Sequence, residues 1–535
     1  MNHLINITVV IPNLLIKKNW EIKLFHSLLS ASHLKINIIN THEENKFFQN
    51  ISTINFLLLK ILNLAENKFQ KVKLLKEKIE VIRLLNNFSF QDVNKNNTLN
   101  FLLKKNNSNI VLNLTTKKIE SDKFVNFPRY GIWNLGFMKD DNSYIINQFL
   151  NFSNNINIFE QEILIDYENN FTSSFKVNFN RFKCFYQTKE YASLKMCNIF
   201  LSELNKLPLT NSIKFKKIKN NKKNLTSQSH KNLLFSVSLS KYFIATYSKI
   251  LINKLFLNLN LIDQKKNSKW HLAFVDSDNY NIDLSKIIIQ KSKKNEYWAD
   301  PFLFKYSNSN YVFFENYKFN DNKGVISVGK IVEDEIVEIR DIINCEYHMS
   351  YPFVYEYQGK IFMIPETHQS KRLEIWVAEN FPYKWKLYKT AFLGHKLVDS
   401  SIIQYRGDYW LFTNMEDDYY NDFTTSLSIF KVDSPLLNSI EPHKLNPVVV
   451  GTESSRNAGS IFVNNNGKLI RPSQAYTGQI YGRYINLSEI IELDINNYRE
   501  TIVNTIKPDN KNKIIGVHHI NKSDDMYVLD VFIKK

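Results

Sequence analysis

The second half of the chain repeats one pattern five times at intervals near fifty residues. Each copy is a short strand that starts at a polar residue, a turn, and a second strand that ends at another polar residue. The copies run from Asp300-Pro-Phe-Leu-Phe to Glu315, from Tyr351-Pro-Phe-Val to Glu366, and from Asp399-Ser-Ser-Ile-Ile to Asn414. Two more run from Asn457-Ala-Gly-Ser-Ile to Arg471 and from Gly516-Val-His-His-Ile to Asp530. Anchors at 300, 351, 399, 457 and 516 stand 51, 48, 58 and 59 residues apart. Two strands per unit at such a period are the mark of β-propeller blades, so the sequence predicts a five-bladed β-propeller around a central channel.

In a blade the innermost strand runs along the channel and the next returns antiparallel. The start of the first and the end of the second therefore share a face. This pairs Asp300 with Glu315, His348 and Ser350 with Glu366, and Asp399 with Asn414 and Glu416. It also pairs Arg456 and Asn457 with Arg471 and Gln474, and His518 with Asp530. These side chains are expected at one mouth, rimmed by Tyr297, Trp298, Tyr317, Tyr351 and Tyr481.

Carboxylates and amides suit sugar hydroxyls, and aromatic rings suit pyranose faces. Two carboxylates about 5–9 Å apart can also perform glycoside chemistry, one as acid and one as base or nucleophile. We read Asp300, Glu366 and Asp399 as candidate catalytic residues. Glu315, His348, Tyr351, Asn414, Arg456, Arg471, Gln474 and His518 are candidate substrate-binding residues, the two arginines offering a place for phosphate or carboxylate. The competing reading is structural: an Asp or Asn at a strand start often satisfies backbone N–H groups of a turn. Glu366 and Asp300 stand apart because each lies beside proline in an apolar context, where a charge is costly without a purpose. Glu356, Glu374 and Glu441 are expected in solvent. His518-His519 lacks a third ligand at helical or hairpin spacing, so it is read as packing or hydrogen-bonding. Neither a metal nor a cofactor is expected.

Several motifs recur in a fixed order: Trp298-Ala-Asp-Pro-Phe-Leu-Phe, Phe313-Phe-Glu-Asn-Tyr, His348-Met-Ser-Tyr-Pro-Phe-Val, Met363-Ile-Pro-Glu-Thr, Asp399-Ser-Ser-Ile, Asn446-Pro-Val, Ser455-Arg-Asn-Ala-Gly, Leu469-Ile-Arg-Pro-Ser-Gln and Tyr481-Gly. Together, over about residues 270–535, they resemble the N-terminal domain of the glucosamine inositolphosphorylceramide transferase family. The resemblance implies a five-bladed propeller related to glycoside hydrolases with three catalytic acids. It also implies that transfer in the plant members belongs to a separate C-terminal domain, so transferase activity is not expected to follow from the family name. The glycosidase pattern places acids on the inner strands of the first blades. Asp300 and Asp399 fit it, but the second blade starts with Ser350-Tyr351, and Glu366 from the return strand would have to substitute.

Length and composition bound the rest. At 535 residues two or three domains are expected, and 44% hydrophobic residues supply ample core. The net charge of +17 is scattered, in a chain crowded with Lys, Asn and Ile, so no nucleic-acid partner is expected. Three cysteines give no disulfide framework and fit a reducing compartment, hence a cytoplasmic location. No apolar run is long enough for a transmembrane helix, and the N-terminal apolar stretch reads as a buried strand rather than a signal peptide.

Residues 1–205 read as an α/β, Rossmann-like domain with strands at Ile7–Ile11, Lys35–Ile39 and Asn109–Leu114 and helices at Trp20–Ser32, Phe56–Leu64 and Val72–Leu85. Residues 206–265 read as a linker, basic over Lys214–Lys223, with a connecting helix over Leu233–Leu257. The propeller is assigned to 266–535, and Trp270–Val275 is expected to close the ring as outer strand of the last blade. Ile110-Val-Leu-Asn-Leu with Tyr130-Gly-Ile-Trp-Asn134 is similar to the strand and loop of formyltransferase-like domains. That likeness puts Asn113 at the family's Asn, Asn134 at its His, and no residue at its Asp, so the domain is read as degenerate.

Three functions are carried forward. The first is a carbohydrate-active protein that cleaves, transfers or modifies a sugar, sugar nucleotide or glycolipid headgroup at the mouth, in cell-surface glycan or glycolipid biosynthesis. The second is a non-catalytic glycan-binding module that serves a partner glycosyltransferase. The third is formyl or acyl transfer to an amino sugar by the N-terminal domain.

Overall fold

The computed structural model describes residues 4–12, 18–42, 61–62, 66, 75–86, 90–94, 98–115, 119, 124–135, 142–154, 158–168, 172–182, 184–210, 216–218, 235, 237–242, 244, 268–277, 282–415, 420–476, 482–524 and 526–534. The chain divides into two compact units, Met1–Leu261 and Ile262–Lys535.

The first unit is built on an eight-stranded mixed sheet. Its strands are β1 (Ile5–Ile11), β2 (Leu34–Asn40), β3 (Gln91–Asp92), β4 (Ile110–Asn113), β5 (Ile132–Leu135), β6 (Ile158–Asp166), β7 (Thr172–Asn180) and β8 (Lys216–Ile218), in the order β3-β2-β1-β4-β5-β6-β7-β8. The β3-to-β5 half is parallel. The β5-to-β8 half is antiparallel, which departs from the expected Rossmann-like α/β domain. Too few residues separate Asp166 from Thr172 for a crossover, so β6 and β7 pair as a hairpin.

Helices α1 (Asn19–Ser30), α2 (Leu75–Asn86), α3 (Leu99–Asn106), α4 (Asn142–Asn154) and α5 (Phe185–Thr210) accompany the sheet. At the start of α1 the Glu21 carboxylate accepts the Lys18 backbone N–H at 2.8 Å, a first-turn contact that satisfies an orphan donor. Trp20, Leu24 and Leu28 then fall on one buried face. α5 has no counterpart among the expected helices. Most of the expected 56–64 helix, the Lys214–Lys223 run and the 233–257 helix lies outside the described residues. Of the run, Lys216–Ile218 is strand β8, and residues 235, 237–242 and 244 are helical.

The second unit is the five-bladed propeller. Blade one is β11 (Glu296–Tyr306), β12 (Ser309–Lys318), β13 (Lys323–Val332) and β14 (Glu335–Ile343). Blade two is β15 (Ser350–Tyr357), β16 (Lys360–Glu366), β17 (Leu373–Asn380) and β18 (Lys384–Ala391). Blade three is β19 (Leu397–Tyr405), β20 (Asp408–Met415), β21 (Ser426–Val432), β22 (Ile440–Pro442) and β23 (Val449–Val450). Blade four is β24 (Arg456–Asn457), β25 (Phe462–Val463), β26 (Leu469–Ala475), β27 (Tyr484–Leu493) and β28 (Tyr498–Ile506). Blade five joins the two ends of the unit: β29 (Ile514–Ser523) and β30 (Met526–Lys534) pair outward with β9 (Ser268–Asp276) and β10 (Ile288–Gln290). The Trp270–Val275 strand closes the ring as expected, but as third strand, with β10 outermost.

Five apolar clusters hold the ring, one between each pair of neighbouring blades. Phe313, Met349 and Met363 fill the space between blades one and two, and Phe362, Ile364 and Leu411 mark the core of blades two and three. Phe412 and Leu469 join blades three and four, and Ile470 and Val517 join four and five. Phe274 and Phe314 join five and one. Each such side chain contributes about 1.5–3 kcal/mol on burial, so the blades are mutually dependent. Glu374, expected in solvent, is fully buried. Its carboxylate accepts from Tyr347, Arg372 and Trp376 at 2.8–3.1 Å, which removes the cost of burying it.

Candidate functional site

A bulge recurs at the start of the inner strand in four blades. Two residues face one across the ladder at Asp300-Pro301, Tyr351-Pro352, Asp399-Ser400 and His518-His519. Asp300, Tyr351 and Asp399 all have positive φ, at 50°, 45° and 50°. Such backbone costs about 1–3 kcal/mol per residue and persists where the surroundings demand it. The bulge re-aims the side chain, and it is why the repeat places Asp, Tyr, Asp and His at equivalent points.

Tyr351 uses this geometry differently from the rim role read from sequence. It is buried, and it reaches every other blade. Its ring centre lies 4.9 Å from that of Phe302 in blade one and 5.0 Å from that of His519 in blade five. Its hydroxyl accepts the Gly459 N–H of blade four at 3.2 Å and meets the Ser401 hydroxyl of blade three. Tyr351 therefore closes the centre of the ring and forms a floor beneath the mouth.

The acids gather around that floor in two groups. In the first, Asp300 lies 3.2 Å from His518 Nε2 and 3.5 Å from His519 Nδ1. Asp530 holds this pair: its carboxylate is 2.9 Å from His518 Nδ1 and accepts the backbone N–H groups of Asp300, His518 and His519. Burial opposes charge here, but Asp530 and Asp300 hold the His518 pKa up to about 10. Burial likewise opposes the Asp300 charge, and the two imidazoles overcome it and keep Asp300 well below the usual carboxylate range. Glu315, with Tyr297 Oη at 3.3 Å and His348 Nε2 at 3.5 Å, goes the other way. Burial first, then the Asp300 charge, pushes its carboxyl well above the ordinary value. His348 Nδ1 accepts the Gly324 N–H at 2.9 Å, which leaves the Nε2 hydrogen toward Glu315.

In the second group Glu366 accepts from His368 Nδ1 at 2.7 Å and lies 3.9 Å from Arg456 Nη2. Against burial, His368 and Arg456 hold it below its ordinary pKa. Arg456 Nε donates to Asp399 at 2.6 Å, and Gln474 Nε2 lies 3.4 Å from the same oxygen. Burial, with the charges of Glu366 and Asp300, nonetheless outweighs Arg456 and raises Asp399 to about 8. Two carboxyls around one floor are thus pulled below their ordinary pKa and two are pushed above it.

Other expected site residues are occupied elsewhere. Arg471 is fully buried, and its Nε and Nη2 donate to Glu500 on the outermost strand of blade four at 2.7 and 2.6 Å. This bidentate pair corrects its assignment as a ligand-binding group. Asn414 is likewise a clamp between blades three and four: it donates to the Ser426 and Ser455 carbonyls and accepts the Asn457 N–H. Trp298 lies in the core between blades five and one, not at the rim. Glu416 and Tyr481 lie outside the described residues. Sequence reasoning missed His368 as partner of Glu366 and Asp530 as the anchor beneath Asp300. The repeat pairing of His518 with Asp530 was the available signal for the second.

Among the described residues one set, Asp300, His518 and Asp530, has the spacing to surround a metal ion. The same residues stand as an acid–imidazole–acid series, with His518 3.2 Å from Asp300 and 2.9 Å from Asp530.

In the first unit Asn113 donates to Asn134 at 2.9 Å, and Asn134 to Asp166 at 2.9 Å. Asp166 was not placed from sequence because its strand is antiparallel to β5. The three form a chain with no imidazole.

The family described as "Glucosamine inositolphosphorylceramide transferase 1, N-terminal" matches residues 250–526. The chain belongs to this family. Proteins of that name, glucosamine inositolphosphorylceramide transferase 1, are 35% identical over 210 residues in Oryza sativa subsp. japonica and 34% over 213 residues in Arabidopsis thaliana. The matches cover 38% and 39% of this chain and 28% and 27% of those proteins, so the chain spans little more than a quarter of the curated relatives' length. Among solved structures, the family 117 glycoside hydrolase Zg3597 from Zobellia galactanivorans aligns with 50% of this chain and 91% of its own at 11% identity and a TM-score of 0.33. The α-L-arabinofuranosidase of Lactobacillus brevis aligns with 42% and 79% at 12% identity and a TM-score of 0.32. Nothing about substrate or activity follows from likenesses at this level.

Proposed function

We propose that this member of the family acts on the sugar of a glycoconjugate at the propeller mouth, in glycosyl transfer or hydrolysis during glycolipid biosynthesis. The observation that carries the reading is the gathering of Asp300, Glu315, Glu366 and Asp399 around Tyr351, each with a different partner, so that two are shifted down in pKa and two up. Pairs of acids pushed apart in pKa are what general acid–base chemistry needs. Asp399, protonated below about pH 8, donates to the oxygen that leaves the anomeric carbon. Arg456 then stabilises the carboxylate left behind. Asp300 or Glu366, ionised, takes the proton of the attacking hydroxyl as its oxygen bonds to that carbon. The relatives' name points to a glucosamine- or inositol-containing headgroup as the class to try first.

The experiment is turnover of sugar nucleotides and glycosides by the full chain and by Asp300→Asn, Glu366→Gln and Asp399→Asn. Loss of turnover in all three supports the reading, and turnover that survives them rejects it.

A second reading, a glycan-binding module for a partner glycosyltransferase, is favoured by the internal partners of the acids: His518 for Asp300, His368 for Glu366 and Arg456 for Asp399. Sugar binding without turnover, retained in the three acid variants, would select it. The formyltransferase-like reading of the first unit rests on the Asn113–Asn134–Asp166 chain. No imidazole stands among these three described residues, which favours substrate presentation over formyl transfer. A cytoplasmic location is part of the same proposal and rests on the sparse cysteines.

A further inference from the structure

The rings at the mouth form a continuous crescent across three blades. Phe319 and Tyr317 of blade one have centres 5.8 Å apart, and Tyr297 stacks on Tyr317 at 4.7 Å with planes 4° apart. Tyr317 lies 6.1 Å from His348, His348 lies 6.4 Å from His368 in blade two, and His368 lies 5.6 Å from Phe423 of blade three. The middle of this series borders the acids directly, through Tyr297 and His348 on Glu315 and His368 on Glu366. Its blade-one end does not: Tyr317 donates to Asn322, and Phe319 is 37% exposed. The half-buried Tyr317, with Phe319 whose ring has the Lys269 ammonium 5.7 Å from its centroid, adds aromatic surface beyond the acids that a single sugar held over them has no means to cover.

We propose that Tyr317 and Phe319 form a subsite for a second and third sugar ring, so that the ligand is an oligosaccharide head group laid along blade one. This rests on the reading above that the mouth takes a sugar. The sugar over the acids is fixed by hydrogen bonds, while those beyond it are held by stacking on rings that need little ordering. Tyr297 backs Tyr317 and sets the tilt of its plane. The chain then discriminates by length as well as by the sugar that reacts.

The test is calorimetry on the full chain with a matched mono-, di- and trisaccharide series of glucosamine. Each ring added along the crescent is expected to tighten binding about three- to tenfold, the scale of an aromatic contact. Phe319→Ala, an exposed position whose folding is checked by its unfolding midpoint, should remove that gain for the trisaccharide. The monosaccharide should change less than about twofold. Tyr317→Phe, which keeps the ring, should retain the gain. Equal affinity for all lengths, with the monosaccharide bound, overturns the subsite and leaves the sugar reading intact. No binding by any member overturns both.

Discussion

The Tyr351 hydroxyl accepts the backbone N–H of Gly459 at 3.2 Å, a bond from the second blade to the fourth across the centre of the ring. The third blade lies between them, and its Ser401 hydroxyl meets the same oxygen. One side chain thus ties together inner strands that are not neighbours. Tyr351→Phe keeps the ring but leaves the Gly459 N–H unsatisfied, and is expected to cost about 1–3 kcal/mol. Tyr351→Ala empties the floor and is expected to cost about 3–5 kcal/mol. Denaturant unfolding of the two variants should rank them in that order.

Gly459 is required by space as well as by the bond it donates. A Cβ there would stand 1.8 Å from the Ile520 carbonyl oxygen, and φ is +133°. Gly459→Ala should therefore destabilise by more than about 4 kcal/mol. Gly359→Ala is the control: φ is +70° but nothing lies within 4 Å, so its cost should stay at about 1–2 kcal/mol. Equal losses in thermal or denaturant unfolding would contradict this account of the channel floor.

How much of this was legible in the sequence depends on the range of the interaction. The blades were legible because each hairpin is local and repeats, and the pairing of Ser350 with Glu366 followed from strand direction alone, whereas Glu315 pairs with Ala299 and Asp300 falls in the bulge beside it. The bulges were not, since one extra residue changes where a side chain points without changing the repeat. This is why Tyr351 read as a rim residue and sits on the axis. Arg471 misled for another reason: its partner Glu500 is two strands outward, and sequence spacing does not show which side of the sheet a side chain takes. In the first unit the parallel strands were legible as apolar runs. The β6–β7 hairpin, with alternating burial, needed a different period.

The proton on His518 links stability to pH. Its folded pKa of about 10 lies above the ordinary value of about 6.5. The stabilisation is therefore present in full below about pH 6.5 and is lost as pH rises through about 10. The difference in unfolding free energy between the parent chain and His518→Asn should stay constant at low pH and shrink toward pH 10. A difference that grows with pH would reverse the sign and remove the ion pair with Asp300 and Asp530.

Asp399 should titrate near pH 8, and its ionised form should appear above that. Arg456 pulls this value down, so Arg456→Met should move the titration to higher pH. Infrared absorption of the protonated carboxyl, compared with Asp399→Asn, reads it without any substrate. A carboxyl already ionised at pH 5 would leave the site without its acid.

Arg471 and Arg456 should separate stability from ligand binding. Arg471→Met takes the guanidinium from the largely buried Glu500, which keeps only the Tyr498 hydroxyl as a side-chain donor, and is expected to cost about 3–5 kcal/mol of folding free energy. Arg456→Met, at the mouth, should weaken sugar binding more than it weakens the fold. Calorimetry and denaturant unfolding on both variants check the contrast.

The most direct measurement is a crystal structure of the full chain soaked with a glucosamine-terminated disaccharide or a sugar nucleotide. The account predicts a sugar ring over Tyr351, with its hydroxyls or leaving oxygen within hydrogen-bond distance of Asp300, Glu366 and Asp399. A ligand bound elsewhere on the chain, with the mouth left empty at saturating concentration, would contradict it.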